Sequence, residues 1–66
     1  MNQQIIEAMQ MVLEHFKHLH SNAKQMQAEA STPDDEEYYK EERYYYYNVV
    51  SALEDEVDHL KEVSDN

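Results

Sequence analysis

The chain reads as all-α, an antiparallel two-helix hairpin that pairs with a second copy into a four-helix bundle, and three observations carry that reading. Its 66 residues include no glycine and one proline, so tight hairpin turns and phosphate-cradling loops lack the residue that builds them. Apolar or small residues recur at Ile5, Met9, Val12, Phe16, Leu19, Ala23, Met26 and Ala30, in alternating steps of four and three that trace one face of a helix. A second stripe with the same period follows Pro33. Residues 1–66 are expected to form one domain, with a first helix over about 2–30, a turn at 31–32 and a second helix over about 33–63.

In the first helix Ile6 and Leu13 stand beside the stripe and widen it, as a helix covered by more than one neighbour requires. The break falls at Ser31-Thr32-Pro33-Asp34-Asp35. Thr32 suits an N-cap, Pro33 the first helical residue and Asp35 the returning acid of a capping box. Asp34, Asp35, Glu36 and Glu37 then occupy a first turn, where the helix dipole favours negative charge. Helix initiation is reason enough for those four acids.

The second helix carries Tyr39, Tyr46, Val50, Leu53, Val57 and Leu60 on its seam, with Val49 and Val63 beside it and Arg43 interrupting it. Arg43 can lay its aliphatic stem along the interface while its guanidinium reaches outward. Folding at 31–32 sets positions whose numbers add to about 65 opposite one another. Tyr46 is thereby expected against Leu19, Tyr39 against Met26, Phe16 against Val49 or Val50, Val12 against Leu53, and Ile5 against Leu60.

Two helices of this size bury one stripe each, which offsets the entropy of ordering the chain only narrowly without a disulfide or a metal. A second copy is the simplest cover. Ile6, Leu13, Tyr47 and Val49 are accordingly expected at a homodimer interface.

Composition removes several function classes. The absence of cysteine excludes disulfides and thiolate metal sites and favours a reducing compartment. No apolar run approaches the ~20 residues of a membrane span, and the N-terminus lacks the pattern of a signal peptide, so a cytoplasmic protein without membrane contact is expected. Fifteen acidic and five basic side chains give a formal charge of −10. Residues 1–30 hold three Glu and two Lys, net −1, whereas residues 31–66 hold twelve acids and three bases, net −9. Such a surface repels nucleic acid.

No reaction is written in the sequence. His15 and His18 are one turn apart near Glu14, but His15 and His20 fall on opposite sides of the seam, so the three do not converge on one ion. Glu56-Val57-Asp58-His59 contains the Glu-x-x-His of dimetal bundles, yet Val57 and Leu60 are the inward positions there. Ser21, Ser31, Ser51 and Ser64 are explained as surface, cap or terminal residues. No catalytic residue, metal or cofactor is expected.

What remains is Arg43 to Val50, RYYYYNVV. One helical face cannot hold four consecutive tyrosines, because successive side chains point about 100° apart. With Tyr46 inward, Tyr44 and Tyr45 point outward, and Tyr38 shares the stripe of Tyr45. Aromatic anchors among acids suit a protein interface, so Tyr38, Tyr44, Tyr45, Glu41, Glu42 and Asp55 are expected to bind a basic protein partner, with carboxylates standing in for nucleic-acid phosphates as one form. The alternative is a structural homodimer whose acidity keeps it soluble.

Overall fold

A computed structural model describes residues 2–64; the remaining three residues of the expected domain, Met1, Asp65 and Asn66, lie outside the described residues. Two helices, α1 (Asn2–Glu29) and α2 (Pro33–Ser64), pack side by side as an antiparallel hairpin about 52 Å long. Among the described residues there is no strand, and no helix is long and apolar enough to cross a membrane.

The turn is built from caps. Thr32 Oγ1 accepts from the Asp35 amide at 3.1 Å, and the Thr32 carbonyl accepts from the Glu36 amide at 3.0 Å, which starts α2 at the proline. Asp34, Asp35 and Glu36 occupy the first turn of α2 and Lys61 its last, both favourable to the helix dipole. No acid opens α1 and no base closes it, so α1 depends on packing for its stability. At its end Ala30 donates its amide to the Gln27 carbonyl at 3.3 Å, and no described residue adopts positive φ. The chain reverses without the left-handed residue that glycine usually supplies.

On α1 the expected positions Met9, Phe16, Ala23 and Ala30 do face α2, but the other half of the seam is displaced by one residue. Ile6 and Leu13 are 3% and 7% exposed, whereas Ile5 and Val12 are 51% and 45% exposed. The stripe that faces α2 runs through Ile6, Met9, Leu13, Phe16, His20, Ala23, Gln27 and Ala30, all buried or half-buried. Ile6 and Leu13 are therefore spent within one chain, and the expectation that they wait for a second copy is corrected. The reason is that α1 offers two seams one residue apart, and this one hides Leu13 in place of the smaller Val12. Its consequence appears near the turn, where His20 and Gln27 enter the interface.

On α2 the inward stripe is Tyr39, Arg43, Tyr46, Val50, Leu53, Val57 and Leu60, with Val57 buried and the rest half-buried. Phe16 packs its ring 6.1 Å from that of Tyr46, and His20 lies 6.1 Å from Tyr47. The paired numbers add to 62 and 67, so they bracket the expected register although Phe16, and not Leu19, provides the ring that Tyr46 meets.

Gln27 sits in this stripe with its Oε1 buried and without a hydrogen-bond partner among the described residues. An orphaned acceptor of this kind costs about 1–3 kcal/mol. Gln27→Leu should therefore raise the stability of the hairpin by about 1 kcal/mol, seen as a melting temperature about 4–8 °C higher by circular dichroism. Leu13→Ala should lower stability by about 2–4 kcal/mol. Met11→Ala, at the 74% exposed Met11, should stay within about 0.5 kcal/mol.

Candidate protein-binding surface

The residues of α2 that face away from α1 form three adjacent rows. Glu37, Tyr44, Ser51 and Asp58 make the first, Glu41, Asn48, Asp55 and Glu62 the second, and Tyr38, Tyr45, Ala52 and His59 the third. All twelve are exposed. Each row follows from the seven-residue spacing that fixes the inward stripe, because positions seven apart share a face.

The expected binding residues divide among these rows. Glu41 and Asp55 stand two heptads apart in the central row, with Tyr45 to one side and Tyr44 to the other. Tyr38 and Tyr45 share a row, and each rests edge-on against its inward neighbour, Tyr38 on Tyr39 with ring centroids 5.1 Å apart and Tyr45 on Tyr46 at 5.4 Å. Such contacts fix the exposed rings in orientation and reduce the entropy a partner must remove. Tyr44 lies across the ridge and carries the Arg43 guanidinium 5.7 Å from its ring centroid.

Glu42 is the exception, since it is half-buried on the flank and not on the outer face. It lies one turn from Tyr38 and one turn from Tyr46. Its negative charge and a hydrogen bond from the hydroxyl hold the Tyr38 phenol above its ordinary value of 10.0. Tyr46 is raised by loss of solvent first, and then by the same carboxylate. Glu42 therefore braces the tyrosine row from within. Tyr47 and Val49, both expected at the oligomer interface, flank the α2 seam on opposite sides, as their spacing about Tyr46 predicts: Tyr47 beside His20, Val49 on the side of Glu42.

Two surfaces escaped the reading of the sequence. Ile5, Val12, Leu19 and Met26, spaced by seven, form a row along one flank of α1, exposed at Ile5 and Val12 and half-buried at Leu19 and Met26. Val49 and Val63 of α2 line the same flank, alternating there with Glu42 and Glu56, above the half-buried Leu53 and Leu60. The opposite flank gathers the basic residues: Lys17 and Lys24 seven apart on α1, and Lys40, Arg43 and Lys61 on α2. The spacings were visible in the sequence, but only the choice of seam assigns them to flanks. Among the described residues no group of three or more His, Asp or Glu converges as a metal site would require.

Because a raised phenol is favoured in its neutral form, the folded state is stabilised fully below the ordinary tyrosine value, and that contribution is lost as pH rises through the folded values. Glu42→Gln should move the Tyr38 titration back toward 10.0, read by NMR of the labelled ring.

Comparison with family models, with characterised proteins and with solved structures finds no match for this chain, so the reading of its function rests on these surfaces alone.

Proposed function

We propose that the chain is a non-catalytic protein-binding module: a hairpin that self-associates into a four-helix bundle and presents the acidic, tyrosine-bearing face of α2 to a basic protein. The observation that carries the reading is the outer surface of α2, where exposed Tyr38, Tyr44 and Tyr45 alternate with Glu37, Glu41, Asp55 and Asp58. Carboxylates steer a basic partner at long range, and tyrosine supplies a large ring with a polar tip once contact is made. A partner that ordinarily grips nucleic acid fits this chemistry, with the carboxylates in place of phosphates.

Self-association rests on the apolar flank. From Ile5 to Met26 it runs roughly 32 Å at the helical rise, and two helices give it a width of roughly 20 Å. That is of the order of the ~800 Å² per partner buried in a stable dimer. Covering it with a second hairpin leaves the outer face of α2 exposed, so pairing and partner binding coexist.

The second reading, a structural homodimer with no further ligand, draws on that apolar flank alone. Partner capture separates the two. A tagged wild-type protein should retain a basic protein at low salt and release it as salt rises, and Tyr45→Ala with Glu41→Gln should weaken retention by about 10-fold or more. Recovery of nothing but the chain itself would leave the structural homodimer as the function.

Light scattering tests the pairing separately. A mass of twice 7.9 kDa is expected at micromolar concentration. Val12→Glu should give the monomer mass with helical circular dichroism retained, because Val12 is 45% exposed in the single hairpin. A wild-type monomer at every concentration would remove self-association from the proposal.

A further inference from the structure

The basic flank is uneven in its neutralisation. Toward the open end Lys17 and Lys61 line a groove with Glu14, Glu54 and Asp58, and Lys17 pairs with Glu14 at 3.7 Å. Nearer the turn a second groove, of about 290 Å³, is lined by His20, Lys24, Arg43, Tyr44 and Tyr47 and by no acid. Neither Lys24 nor Arg43 makes an ion pair among the described residues. In a chain of formal charge −10, two unpaired cations and a histidine around one groove are a departure from what composition dictates. Glu36 lines an adjoining groove with Lys24 and Arg43 and forms no ion pair with either.

The walls are aromatic. Arg43 lies over the Tyr44 ring at 5.7 Å, and Tyr47 faces the His20 ring at 6.1 Å. Placed over this ring, the guanidinium keeps its fork of donors for a planar or tetrahedral anion. Lys24 supplies a compact charge from the other helix, and His20 a further ring nitrogen.

We propose that this groove is a binding site for a small phosphate monoester carried on a single flat ring. Arg43, Lys24 and His20 surround the phosphate, whose three outer oxygens match donors from three side chains. The rings of Tyr44 and Tyr47 cover the flat body. The volume is at the lower limit of small-molecule sites, which suits one ring. The acids elsewhere act weakly here, since at physiological salt a charge is screened over about 8 Å. The site shares Tyr44 with the partner-binding face but does not rest on that reading, and pairing through the opposite flank leaves it open.

Titration of isotope-labelled full-length protein with phenyl phosphate at constant ionic strength, followed by NMR, tests the site. Saturable shifts are expected at His20, Lys24, Arg43, Tyr44 and Tyr47, with about 10-fold weaker binding of inorganic phosphate. Lys24→Gln should weaken phenyl phosphate by about 10-fold, and Lys17→Gln should leave it unchanged. Lys24 is exposed, so its removal spares the fold. Shifts that do not saturate, or that are equally large around Lys17 and Lys61, would overturn the site. Equal affinity for inorganic phosphate would overturn the role of the tyrosine walls and with it the proposed ligand class.

Discussion

The side-by-side packing of two helices along a single seam is the constraint on which everything else in this molecule depends. There is no cysteine or glycine in the chain, and among the described residues the hairpin's interior holds four buried apolar residues, Ile6, Leu13, Ala23 and Val57. A core so thin gives each contact a large share of the total, because a small domain hides a smaller fraction of its surface than a large one does. The seam also sets the rotation of both helices. Once Leu13 of α1 and Val57 of α2 face inward, the flanks and the outer face of α2 are determined to the residue.

That rotation is also where the sequence was legible and where it was not. The two helices and the break between them could be read directly, because Thr32-Pro33 with Asp35 is a helix start of known mechanism and the Asp35 amide does bond to Thr32. The antiparallel pairing followed from the short connection. The seam of α1 did not, because Ile5 and Val12 compete with Ile6 and Leu13, and both choices share the row of Met9, Phe16, Ala23 and Ala30. Periodicity locates a stripe, but it does not rank two stripes one residue apart. The ranking comes from volume packed against α2, which is a property of the pair of helices.

The error of one residue has unequal effects on the candidate surfaces. Tyr38, Tyr44 and Tyr45 are assigned by the α2 seam, which agrees with the structure, and so they stand outward as expected. Ile6 and Leu13 are assigned by the α1 seam and exchange places with Ile5 and Val12. The basic groove was out of reach for a different reason: Lys24 and Arg43 lie on different helices, nineteen positions apart in the chain, and come together only through the register of the hairpin.

The turn has a consequence for how the chain folds. Because facing residues add to a nearly constant number, the loop that each new contact closes lengthens steadily from Ala30 and Thr32 toward the open end, and the entropy of closing it rises only slowly. Assembly then proceeds as a zipper that starts at the Thr32 cap and passes Tyr39 and Tyr46 before it reaches Val57 and Leu60. Opening runs the other way. Amide exchange would be fast at the helix ends, those beside the turn included, and slowest in mid-helix near the buried Leu13, Ala23 and Val57.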